Sequence, residues 1–152
     1  MSKFKIYAKS ILIPVLVGAF VGIVTSNFID YNMLEQPPLS PPAILFPIVW
    51  TILYTLMGVS YGILETNSLV DSKINLIYYL QLLVNALWSF FFFVFDLRLF
   101  SFFWILLLIA LVVIMIIEFY KKNKTAGLLQ ISYLIWLVFA AYLNFGVYCL
   151  NR

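Results

Sequence analysis

The sequence predicts an all-α membrane protein, a single bundle of five transmembrane helices, and three observations support that class. Hydrophobic residues make up 65% of the 152 positions and charged residues 10%, a balance that a soluble domain of this size cannot cover with a polar surface. The apolar residues gather into five stretches, each near the roughly 20 residues a helix needs to cross a bilayer. The short alternating segments of a membrane β-barrel are absent. The linkers are short, so residues 1–152 are expected to form one domain.

The first stretch, about 6–28, is interrupted only by Lys9 and carries Pro14, where a kink is expected. Its apolar run is too long for the usual core of a secretion signal, so it reads as a helix and not as a cleaved leader. The linker that follows, with Pro37, Pro38, Pro41 and Pro42, runs into the second stretch, about 43–64. Proline suits a stiff approach and a first helical turn, where its missing N–H is no loss. The third stretch, about 74–95, the fourth, about 101–117, and the fifth, about 126–150, are separated by charged linkers.

Charge sets the expected orientation. Lys3, Lys5, Lys9, Lys73, Lys121, Lys122 and Lys124 fall on one side, while the other has Arg98 and Arg152 against Asp30, Glu35 and Asp96. This asymmetry places the N-terminus inside and the C-terminus outside. The net charge of +3 then reads as an orientation signal at the lipid surface, with no nucleic-acid partner implied.

Several chemistries lack their residues. A single cysteine, Cys149, allows no internal disulfide, and the absence of histidine removes most metal and general-base chemistry. Gly58, Ser60 and Gly62 spell a hydrolase-like GxSxG, but without a strand-turn-helix setting or a histidine the better reading is close helix packing, as for Gly18 and Gly22. No carboxylate or histidine sits at mid-membrane for proton coupling, and no lysine for a retinal. No repeat divides the chain into inverted halves.

What remains is an uncharged buried set on three helical faces. Trp50, Tyr54, Met57 and Tyr61 recur at helical spacing on the second helix, with Thr51 and Thr55 beside them. Gln81, Asn85, Trp88 with Ser89, and Phe92 do so on the third, and Ser132, Trp136, Ala140, Leu143 with Asn144, and Val147 on the fifth. Trp50 and Trp88 lie roughly 10 Å inside their helices and Trp136 roughly 20 Å, too deep for an interfacial belt. Trp104, roughly 5 Å in, is expected in that belt. Gln81 serves equally well as an interhelical hydrogen bond or a pocket group. Indoles, phenols and amides together suit a large flat apolar ligand.

These residues carry a resemblance. Pro37, Ser40-Pro41-Pro42, Phe46, Val49-Trp50, Leu53-Tyr54 and Met57-Gly58 form one block. Asn85-x-x-Trp88-Ser89-x-x-Phe92-Phe93 forms a second, and Tyr133-Leu134-x-Trp136-x-x-Phe139-Ala140-x-x-Leu143-Asn144 a third. In this order the blocks resemble the TspO/MBR family, the tryptophan-rich sensory proteins whose animal members are the translocator protein or peripheral benzodiazepine receptor. The chain departs from the family's usual residues at Asp30, Gln36, Ile44, Ser132 and Tyr148. A short sterol-type pattern can be spelled as Leu143, Tyr148 and Arg152, a match that arises often by chance.

The resemblance implies a five-helix bundle, usually a homodimer, with a pocket covered by the first linker. Family members bind porphyrins such as protoporphyrin IX, haem, and synthetic benzodiazepine-site ligands, and some bacterial members degrade protoporphyrin in light. Carried over by position, the ligand-binding residues are Tyr31, Pro42, Trp50, Tyr54, Asn85, Trp88, Ser89, Phe92, Trp136, Ala140 and Asn144. No cofactor is required and no metal site is expected. Without histidine, a metal-free porphyrin held by stacking suits the chain better than haem. If degradation occurs, Trp50 and Trp136 are the candidate electron donors beside the excited porphyrin. A porphyrin or other hydrophobic small molecule is thus the expected partner, bound within the lipid bilayer. The rival readings are a transporter of such a molecule and a ligand-independent scaffold or sensor. The short chain suits a bacterial plasma membrane.

Overall fold

A computed structural model describes residues 2–28 and 33–152. It contains α1 (Lys3–Thr25), a 3-10 turn (Ser26–Phe28), α2 (Leu45–Thr66), α3 (Ser72–Ser89) running into a π-helical segment (Phe90–Val94), α4 (Arg98–Lys122), α5 (Lys124–Leu128) and α6 (Ile131–Asn151). Five spans, α1 with its 3-10 turn, α2, α3 with its π segment, α4, and α5 with α6, are long and apolar enough to cross a membrane. The expected five-helix bundle is therefore the observed architecture.

The fourth span is longer than its apolar run at both ends. Arg98 opens α4 and Lys121 with Lys122 closes it. A charged residue costs little at a helix terminus, and cations in the last turn face the negative end of the helix dipole. The third span starts where Asp71 accepts the N–H of Ile74 at 2.9 Å, capping an otherwise orphaned donor. Lys122 reaches the same carboxylate at 2.8 Å, tying the start of α3 to the end of α4.

Around the bundle, α1 packs on α2 and α3, α4 packs on α3 and α6, and α2 meets α5 and α6. The spans close a ring in the order first, second, fifth, fourth, third. Glycine decides the closest approach. A Cβ at Gly58 would strike the Ser10 carbonyl oxygen and the Ile11 Cα of α1, and one at Gly62 would strike the Tyr7 ring. Pro14 has no N–H, so the Ser10 carbonyl lacks its helical donor, and it is this free carbonyl that lies against Gly58. The GxSxG glycines thus pack α2 on α1 within one chain. Ser60 between them is fully buried and donates to the Ala126 carbonyl at 2.6 Å.

That bond also corrects the fifth span, expected as one helix over 126–150. In a continuous helix the Ala126 carbonyl would accept from the Gln130 N–H; it accepts from Ser60 instead, and the Gln130 N–H turns to the Gly127 carbonyl at 3.1 Å. The helix breaks there into α5 and α6.

Packing differs between the two ends of the bundle. Near the α2–α3 and α4–α5 linkers the interior is filled by Tyr61, Leu64, Ile74, Tyr78, Met115 and Phe119, with Tyr61 and Tyr78 rings 4.6 Å apart. Ser101, Ile105, Leu108, Val112, Met115 and Phe119 make the buried stripe of α4, at the spacing of one helix face. Toward the end that carries the first linker, the interior opens.

Candidate functional site

The opening is a cavity of about 650 Å³. On α1 it is lined by Val15, Gly18, Ala19 and Gly22 among others, on α2 by Phe46, Pro47, Trp50, Thr51 and Tyr54, and from the first linker by Leu34, Gln36 and Ala43. From α3 and its π segment come Asn85, Trp88, Ser89, Phe92 and Phe93, and from α6 Trp136, Ala140, Leu143, Asn144 and Val147. No acidic or basic side chain is among the described residues that line it.

The structure brings Trp50, Tyr54, Asn85, Trp88, Ser89, Phe92, Trp136, Ala140 and Asn144 to one cavity, as expected from spacing and resemblance. Tyr31 lies outside the described residues. Pro42 is not on the wall: its carbonyl accepts the Leu45 N–H at 3.0 Å in the turn before α2, and Ala43, Phe46 and Pro47 line the cavity in its place. Leu143 faces the cavity, whereas Tyr148 packs near Phe145 at 6.2 Å and Arg152 is exposed. The sterol-type pattern is therefore not one surface, because five helical residues from Leu143 to Tyr148 turn the side chain well off the first face. Cys149 is exposed and off the wall.

A chain of hydrogen bonds fastens the floor of the cavity. Tyr54 Oη donates to Asn85 Oδ1 at 2.6 Å, Asn85 Nδ2 to Tyr133 Oη at 2.7 Å, Tyr133 Oη to Gln81 Oε1 at 2.8 Å and Gln81 Nε2 to Met57 Sδ at 3.4 Å. Every donor points the same way along the chain, and each group of the chain is buried. Gln81 is thus an interhelical tie and not a wall residue. Tyr133 sits in the third sequence block, yet only its fold partners reveal it as the joint between α3 and α6.

A second tie crosses higher up. Trp88 Nε1 donates to Asn144 Oδ1 at 2.9 Å, and Asn144 Nδ2 donates to the Arg98 carbonyl at 2.9 Å. Trp88 also stacks on Phe92 at 5.1 Å. Trp50 meets the Tyr54 ring at 5.5 Å and the Trp136 ring edge-on at 6.5 Å. Trp136 Nε1 is buried with no partner among the described residues, so this indole contributes its ring and no fixed hydrogen bond. Trp104, expected in the interfacial belt, is also tied into the bundle. Its Nε1 donates to the Val84 carbonyl at 2.8 Å and its ring packs on Phe91 at 4.9 Å, joining α4 to α3.

Three features of the site had little or no signal in the sequence. The α1 contribution depends on Gly18, whose missing side chain makes room for the Tyr54 ring, and on Gly22, whose Cα faces open space. Phe93 reaches the wall beside Phe92 because the π segment, with the Phe95 N–H on the Phe90 carbonyl at 3.0 Å, adds a residue to the turn. The first linker is held on α6 by Asn151, which accepts the Glu35 N–H at 3.0 Å and donates to the Glu35 carbonyl at 2.9 Å, and by Tyr142 Oη on the Pro38 carbonyl at 2.6 Å. Pro37 packs where a Cβ on Gly146 would lie. Ile44, where the family often has tryptophan, is exposed and off the wall.

Known proteins are similar to this chain over most of its length. The chain is 36% identical over 145 residues to the tryptophan-rich protein TspO of Archaeoglobus fulgidus, covering 93% of this chain and 94% of that one. It is 36% identical over 124 residues to TspO of Chlorobaculum tepidum, covering 80% and 78%. It is 34% identical over 136 residues to protein CrtK of Rhodobacter capsulatus, covering 86% and 83%. A model of the TspO/MBR family matches residues 10–150, which takes in the Gly58 contact of α2 with α1, the first linker and all the tryptophans of the bundle, and the chain belongs to that family.

Proposed function

We propose that this protein binds a porphyrin, protoporphyrin IX in the first place, or a similarly flat hydrophobic molecule, inside the bundle. The observation that carries the reading is the cavity of about 650 Å³ walled by Trp50, Trp88, Trp136 and Phe92 with amides at its ties. That volume is within the roughly 300 to 1,000 Å³ of small-molecule sites, which are mostly apolar with a few placed polar groups. Stacking on indole and phenyl faces provides most of the affinity for such a ring system. Hydrogen-bond donors not already committed inside the protein add orientation.

Binding is the core of the proposal, and light-driven degradation is a further step that Trp50 and Trp136 would serve from the wall. The test is quenching of tryptophan fluorescence by protoporphyrin IX in the purified protein and in Trp50→Phe and Trp136→Phe. Saturable quenching, weakened in both variants, is the expected result; its absence in the parent protein refutes the site. Absorbance of the complex in light and in the dark then separates binding from photochemistry. The charge-derived orientation, N-terminus inside, belongs to the same proposal and is read by protease or thiol labelling of the exposed Cys149 in sealed vesicles. A homodimer, the remaining part of it, is read by the mass of the protein in detergent.

A further inference from the structure

Beside the main cavity lies a smaller one of about 300 Å³, lined by Phe28, Met33, Leu34, Phe92, Phe93, Val94, Asp96 and Arg98. Leu34, Phe92 and Phe93 line both, so the two chambers adjoin at three apolar side chains. Their chemistry differs. The large chamber has no charged residue on its described wall, and the small one holds a guanidinium and a carboxylate.

Arg98 is held in place and poorly satisfied. Its backbone carbonyl accepts from Asn144, which also receives the Trp88 indole N–H, so its position is fixed relative to the wall of the large chamber. Its side chain is 23% exposed, Nη2 meets Asp96 at 3.4 Å, and Nε is buried with no partner among the described residues. A guanidinium offers five donors in a planar fork, and two of its nitrogens are accounted for here by one long contact and one unmet donor. Asp96 is a weak competitor, since its side chain is 66% exposed and an ion pair on a wetted surface contributes little. It stands on a turn held by the Leu97 N–H on the Phe91 carbonyl at 2.9 Å.

From this juxtaposition we infer that the small chamber takes the carboxylate of an amphipathic ligand whose apolar ring body fills the large chamber, with Arg98 as the residue that recognises the acid. The inference rests on the cavity being a ligand site, as proposed above, and adds the class of ligand: an aromatic or macrocyclic carboxylic acid, and not its neutral ester. The carboxylate replaces Asp96 on the guanidinium and takes the bidentate geometry that a planar fork offers. Leu34, Phe92 and Phe93 form the neck between body and acid. The π segment, which turns both phenylalanines to the chambers, is what places the neck there.

The experiment compares an acid with its ester. Protoporphyrin IX and its dimethyl ester are titrated into the detergent-solubilised protein, and into Arg98→Gln, Arg98→Lys and Asp96→Asn. The parent protein is expected to prefer the diacid by about tenfold or more, the scale of a hydrogen bond to a charged group. Arg98→Gln is expected to remove that preference while leaving ester affinity unchanged, Arg98→Lys to retain part of it, and Asp96→Asn to strengthen it. The acid-to-ester ratio is unaffected by a fraction of misfolded protein, which lowers both affinities together. Equal binding of acid and ester by the parent protein, or an equal loss of both in Arg98→Gln, overturns the inference and leaves the cavity as a ligand site. If neither porphyrin gives saturable quenching, the porphyrin reading fails by itself, and the same ratio is read with 1-pyrenebutyrate and its methyl ester: a preference for that acid that depends on Arg98 upholds the inference, and no preference ends it.

Discussion

Tyr133 joins two helices through one hydroxyl, receiving from Asn85 and donating to Gln81 at 2.7 and 2.8 Å. Tyr133→Phe keeps the ring and strands a buried amide at each end, so a loss of about 1 to 2 kcal/mol is expected, the upper range for interhelical hydrogen bonds in membranes, and is read by thermal melting in detergent. The two deep indoles separate by the same logic. Trp88→Phe strands Asn144 Oδ1 and is expected to cost about 1 kcal/mol, whereas Trp136 Nε1 has no partner to strand. Trp136→Phe is therefore expected to melt within about 0.5 kcal/mol of the parent and to show its effect in ligand quenching alone. Trp50, Trp88 and Trp136 were legible in the sequence as deep aromatic residues on polar-bearing faces. Which indole N–H is satisfied was not, since partner and donor lie 56 residues apart in the Trp88–Asn144 pair.

At the scale of elements, the α1–α2 contact depends on a glycine set directly against the backbone of α1. Gly58→Ala is expected to push α2 off the Ser10 carbonyl and cost about 1 to 3 kcal/mol, the range for overpacking. Gly22→Ala, facing open space, is expected to melt with the parent and to shrink the cavity, so its effect is read in ligand affinity. Motif spacing flagged both glycine pairs alike; the partner helix alone tells a packed glycine from a cavity glycine. The α3–α4 tie makes a pH prediction. The hydrogen bond from Lys122, helped by the Ile74 N–H, holds the Asp71 carboxyl below its usual value. A depressed folded value means that this stabilisation is present above the unfolded carboxylate value near pH ~3.9 and is lost as pH falls through the lower folded one. Asp71→Asn keeps a capping oxygen and removes the charge. It is expected to melt below the parent at neutral pH and to converge with it as the medium is acidified below pH ~4, and a gap that persists in acid would contradict the assignment.

For the molecule as a whole, one end of the bundle is packed solid and the other is hollow, and the first linker is strapped to α6 over the hollow end. Asn151→Ala removes both bonds to Glu35, and faster proteolysis of the linker with little change in the melting of the bundle is the expected outcome. The class, the number of spans and the family were all legible before any coordinates, because crossing a bilayer demands long apolar runs and satisfied backbone groups whatever lies beside them. The three wall faces were legible for a related reason: helical spacing is local, so residues three and four apart share a face. Tertiary structure decided the rest. Ser60 taking the Ala126 carbonyl breaks the fifth span, a π turn brings Phe93 to the wall, the Trp104 indole finds a carbonyl of α3, and Arg98 comes to rest beside a second chamber. Each of these depends on a contact between distant segments, and one-dimensional spacing carries no information about which face meets which.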